Sequence, residues 1–247
     1  MDNAQDLREA GLRLTYPPVD GNFPGRNSHE RITIQGLDQQ VSKLVGEPLV
    51  ALSPSQAHGK FRIATAGDTG RAKVHVDASH WSGILYLSRP EDCRGGTEFF
   101  RHIPTNTERG PYNDQEAQAM GHVSAKQMIA DILERDTLDD SKWELTMRVP
   151  MRFNRLVLLR PWLWHTAGEA FGDSLQNGRF VYLMFFASAR QVAGASSPMP
   201  ARRPGRPRLP TFRAEPRHVR HLPWPDAGAG RARSAARCRR RHRAPGR

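Results

Sequence analysis

The chain has 247 residues and a formal charge of +12, but the charge is not spread evenly: residues 191–247 hold fifteen Arg, no Lys, and only Glu215 and Asp226 as acids, so residues 1–190 carry a net of −1. There is no run of about 20 apolar residues to span a bilayer, and the opening Met1-Asp2-Asn3-Ala4-Gln5-Asp6 lacks the basic-then-apolar order of a secretory signal. Cys93 and Cys238 alone build neither a disulfide framework nor a cysteine zinc site; a soluble cytoplasmic protein is expected.

Residues 1–190 are long enough for one core and are expected to form a single domain. In chain order, Ile34, Leu37, Val41, Leu44 and Val45 keep helical spacing until Gly46 and Pro48 stop the pattern. Strands are expected over 60–66, 73–77 and 84–87, with Gly95-Gly96 turning the chain into a further strand at 97–100. Met120, Val123, Met128, Ile129, Ile132 and Leu133 place a helix within 114–135, packed on the sheet or over its mouth. Strands then follow at 143–151, 156–159 and 179–186. Short strands separated by Gly/Asn/Asp turns imply a mainly β fold with flanking helices, a sandwich or barrel. Residues 191–247 are rich in Arg, Pro, Ala and Gly with few aliphatic side chains, and are expected to be a disordered tail. An arginine-rich tail can neutralise phosphates. This one lacks periodic aromatic interleaving and is read as an extension rather than a nucleic-acid interface.

The chemistry begins at His75-Val76-Asp77. Side chains two apart on a strand share a face, so an imidazole and a carboxylate so placed can take adjacent positions on one metal ion. Such a pair alone also serves as a surface hydrogen bond, and the reading needs a third ligand. His165 follows the apolar run Leu156–Leu159 and sits beside Trp162 and Trp164; taken alone, it is more often a core histidine. Two histidines and one carboxylate on one side of a metal form a facial triad that leaves positions open for non-haem Fe(II) chemistry, unlike a closed structural zinc site. Arg179 opens a very apolar strand and shares a face with Val181, Leu183 and Phe185, while Phe180, Tyr182, Met184 and Phe186 share the other. An inward guanidinium needs a carboxylate partner, which a dicarboxylate ligand can supply bidentately; a strand-end Arg reaching solvent is the alternative.

The order His75-x-Asp77, Gly83-Ile84-Leu85-Tyr86-Leu87-Ser88, Gly95-Gly96-Thr97-Glu98-Phe99, His165 and Arg179 resembles the Fe(II)/2-oxoglutarate-dependent dioxygenases, closest to their prolyl-hydroxylase-like branch, over roughly residues 60–186. The resemblance implies a double-stranded β-helix, a jelly-roll barrel. It implies that His75, Asp77 and His165 are the catalytic iron ligands and that Arg179, supported by Tyr86, binds the distal carboxylate of 2-oxoglutarate. Thr97 adds a hydrogen bond in that scheme, and His80, His102 and His122 do not match ligand positions. Fe(II), 2-oxoglutarate and O₂ would then oxidise a C–H bond of a small molecule, such as an amino acid or specialised metabolite, by hydroxylation, desaturation or cyclisation, with release of succinate and CO₂. A carboxylate at position 77, rather than a small residue, argues against halogenation. A protein side-chain hydroxylase and a cupin-like metal-binding protein without oxygenase activity are the competing readings. Neither the substrate nor the oligomeric state is legible in the sequence.

Overall fold

The computed structural model describes residues 1–18, 21–53, 55, 57–190 and 192. The segment expected to be a disordered tail lies, apart from Val192, outside the described residues. In chain order the elements are α1 (Ala4–Leu12), β1 (Arg26–Asn27), α2 (Leu37–Val45), β2 (Leu49–Ala51), β3 (Phe61–Ala64), β4 (Trp81–Tyr86), β5 (Gly96–His102), α3 (Asp114–Ala119), α4 (Ala125–Asp136), a short 3₁₀ turn (Asp140–Lys142), β6 (Trp143–Pro150), β7 (Leu156–Leu159), β8 (His165–Thr166) and β9 (Arg179–Ser188). Among the described residues no helix is long and apolar enough to cross a membrane.

The strands form two antiparallel sheets. The larger has six strands in the order β1-β3-β9-β4-β7, with β2 also on β9; the smaller has three, in the order β6-β5-β8. The fold is therefore mainly β with a few helices, and no closed barrel forms among the described residues. Alternation along β9 sorts its side chains as the period of two requires. Phe180, Tyr182, Met184 and Phe186 are buried on the outer face, in a core that includes Ala4 and Leu7 of α1 and Val41 of α2. Val181, on the opposite face, packs with Tyr86 and Val157 of the same sheet and with Phe99 of β5, so the two sheets meet face to face. A third core closes the far side of the small sheet, where Met128 and Ile132 of α4 pack on Phe100, Trp143 and Trp164.

Two expectations are corrected. The apolar stripe within 114–135 is two helices, because Gly121 takes a φ of +85°, in the left-handed region open to glycine. Each helix then has its own cap: Asn113 accepts from the Glu116 N–H at 2.9 Å, and Ser124 from the Gln127 N–H at 3.2 Å. The second correction concerns 73–77, which is not a strand. Only His75 pairs, as an isolated antiparallel bridge to His165. The flanking residues bond elsewhere: Val74 N–H donates to Thr137 and Asp77 N–H to Pro161. The Thr137 hydroxyl, at the end of α4, donates to the Val74 carbonyl and accepts from the Lys73 N–H. Helix α4 therefore anchors the segment that a sheet ladder was expected to hold.

Candidate metal centre and its cavity

The three side chains expected to converge do so. One ligand atom from each of His75, Asp77 and His165 lies within 4.8 Å of the others. The bridge between His75 and His165 is reciprocal, with N–H to carbonyl distances of 2.9 and 3.1 Å, and it brings the two rings to 4.4 Å between centroids. A backbone pair thus performs the alignment that the i, i+2 argument assigned to a strand.

The imidazoles are also set in tautomer. Nδ1 of His75 lies 3.1 Å from the Lys73 carbonyl, and Nδ1 of His165 lies 2.7 Å from the Leu163 carbonyl. A carbonyl only accepts, so each Nδ1 carries the proton and each Nε2 keeps its lone pair. Those Nε2 atoms lie 3.7 and 3.5 Å from the Asp77 oxygens, loose for hydrogen bonds and close enough to share an ion. Ser82 donates to Asp77 Oδ2 at 2.7 Å and is itself paired with the Ser79 hydroxyl at 2.8 Å. Burial, then the neighbouring His165, pushes the His75 imidazole down to about 4. Burial alone would raise Asp77, but the contact and charge of His165, the charge of His75 and the Ser82 hydroxyl outweigh it and pull the carboxyl to about 2. Both groups are held in the deprotonated form that a metal requires. Two neutral imidazole nitrogens and one carboxylate suit a divalent first-row ion such as Fe(II) and leave other positions on it open.

The triad opens into a cavity of about 580 Å³ lined by both sheets, including His165 and Thr166 of β8 and Ile84, Arg179, Leu183 and Phe185 of the large sheet. Arg179 is 3% exposed, and its Nε is buried without a hydrogen-bond partner. Burial lowers its pKa, with only the nearby Tyr86 acting in the opposite sense. Tyr86 is fully buried beside it, but its hydroxyl accepts from the Thr97 N–H at 2.8 Å and pairs with the Thr97 hydroxyl at 2.7 Å. Tyr86 therefore ties β4 to β5 through Thr97.

Trp164 packs in the α4 core. Trp81 and Trp162 sandwich Arg160, whose charge meets Glu47. His80 also contacts Glu47, at 2.8 Å. His102 is held by Asp136, and His122 lies 3.8 Å from Asp131.

The sequence reading missed Phe23 and Arg62. Arg62 lines the cavity and donates to the carbonyls of Phe23, Pro24 and Gly25 and to the Asn27 side chain, at 2.7–3.2 Å. This holds the 23–27 segment across the opening, with the Phe23 ring 4.3 Å from the His75 ring. Burial, then the neighbouring Arg179, lowers Arg62 to about 10. The available signal was an arginine between Phe61 and Ile63 on the inward face of a strand, the same signal that singled out Arg179.

Residues 4–186 match the family of unknown function DUF6445, and the chain belongs to that family. No curated protein matches it.

Proposed function

We propose that the protein is an Fe(II)- and 2-oxoglutarate-dependent oxygenase that oxidises a C–H bond of a small molecule. The observation that carries the reading is the pairing, in one cavity, of the His75/Asp77/His165 cluster with a buried guanidinium that has no carboxylate partner among the described residues. A lone buried charge is costly to the fold. A dicarboxylate that reached the metal with one end and Arg179 with the other would remove that cost. Two antiparallel sheets meeting face to face around the site support a double-stranded β-helix architecture. A cytoplasmic location accords with this chemistry.

His75, Asp77 and His165 would hold the iron. Bound there, Fe(II) with 2-oxoglutarate and O₂ supplies the oxidant: one oxygen atom enters the substrate C–H bond as hydroxyl, and the keto acid leaves as succinate and CO₂. The chain's own residues do the positioning. Lys73 and Leu163 carbonyls fix the imidazole tautomers, and Ser82 orients the carboxylate. Arg179 would take the far carboxylate of the keto acid and so set its direction. Phe23, strapped down by Arg62, shields the His75 side from water.

Anaerobic titration with Fe(II) and then 2-oxoglutarate tests the reading. The expected result is one iron per chain, followed by a weak visible charge-transfer band when the keto acid is added. Iron binding without that band would leave a metal-binding module and remove the oxygenase.

A further inference from the structure

Resting on the oxygenase reading, we infer that the substrate is an uncharged, largely apolar small molecule and not a free amino acid. The inference comes from how the charges around the cavity are already committed. Asp77, the only carboxylate among the described lining residues, belongs to the metal cluster. Arg62 is committed to the 23–27 strap, Asn27 accepts from Arg62, and Lys73 is paired with Asp140 at the rim. Ser82 donates to Asp77. Arg179 is left to the keto acid. Apart from the Thr69 and Thr166 hydroxyls, which are uncharged, the rest of the described wall is mainly carbon: Phe23, Ile84, Leu138, Leu183 and Phe185, with alanines and glycines between them.

An α-amino acid entering this space would bring an ammonium group to a wall whose described residues offer no free carboxylate, and burying an unpaired cation there is costly. Its carboxylate would have to compete with the keto acid for Arg179. A neutral molecule with a hydrocarbon face brings no charge to desolvate and gains by removing Phe185, Leu183 and Leu138 from water. The volume of about 580 Å³, which the keto acid would share with the substrate, lies within the range of small-molecule sites, about 300–1,000 Å³. At the rim, beside the Lys73–Asp140 ion pair, Leu138 is 57% exposed.

The test uses the full chain with Zn(II) and saturating 2-oxoglutarate, and the neutral fluorophore N-phenyl-1-naphthylamine as the probe. The probe should bind at one equivalent. 3-Phenylpropanamide should displace it, and L-phenylalanine, which has the same carbon skeleton, should not. Phe185→Gln, inside the cavity, should weaken the probe about tenfold, and Leu138→Asp, at the exposed rim where folding is not at stake, should do so by a similar factor. Displacement by phenylalanine as strong as by the amide would overturn the inference, as would probe binding unchanged in both variants. The readout is binding rather than turnover, so this failure is distinct from that of the iron and keto-acid titration.

Discussion

Two histidine–aspartate clusters stand in the same domain and have opposite characters. His102 is fully buried against Trp143 and Trp164, with its ring nitrogens 2.8 Å from the Thr105 hydroxyl and 3.0 Å from Asp136. Both of its nitrogens are spent, and the pair locks β5 to the end of α4. In the other cluster, His75 and His165 spend only Nδ1, on backbone carbonyls, and aim Nε2 at a shared point beside Asp77 at the edge of a cavity. The residue types are the same, and satisfaction separates them. A closed hydrogen-bond set is structure, whereas convergent lone pairs left unspent could hold an ion.

The contrast is tested most strongly by removing one carboxylate from each cluster. Asp77→Ala should weaken metal binding by about a hundredfold or more, read by calorimetry, and abolish iron-dependent succinate formation. Asp136→Ala should leave metal stoichiometry at wild-type level and lower unfolding stability by about 3 kcal/mol in urea titrations, because it strands a buried imidazole. Metal loss in Asp136→Ala, with the fold intact, would erase the distinction.

Arg179→Met sharpens the comparison by separating function from stability. Affinity for 2-oxoglutarate should fall about a hundredfold, while the ligand-free chain should be as stable as wild type or more so, because the change removes a buried charge without a protein partner. A large loss of stability in the ligand-free chain would show that the guanidinium serves the fold instead.

The smallest effect is in pH. His75 sits at about 4 in the folded chain against its ordinary 6.5, so the unfolded chain binds more protons between these values. Its contribution to stability is complete above pH 6.5 and is lost as the pH falls toward 4. Asp77, at about 2 against 3.8, extends the loss below that. The melting temperature of the metal-free protein should therefore decline from pH 6.5 downward, and less steeply in His75→Gln. Equal slopes would remove His75 from the account.

Strand alternation was legible because a period of two depends only on the backbone. That is why the two faces of β9 could be read before any contact was known, whereas the choice between an inward Arg179 and one reaching solvent needed the structure, which buries it. The convergence of His75, Asp77 and His165 followed from the resemblance, but the device that holds them did not: an isolated backbone bridge, stiffened by Thr137 from a helix 62 residues further along, leaves no periodic trace. Helix α1 was missed because its AQDLREAGL sequence is mostly polar and its few apolar residues gain their meaning only against Phe61 and Phe180.

What the sequence determined by itself was local: which residues alternate, which carry metal-binding chemistry, and where glycine and proline interrupt a run. Tertiary structure decided which groups remained unspent. It joined Tyr86 to Thr97, Arg62 to the 23–27 strap and His102 to Asp136, and among the described residues it left Nε2 of two histidines and the Arg179 Nε without such partners. A hydrogen-bonding group's availability depends on every neighbour within about 3 Å, and those neighbours come from segments far apart in the chain.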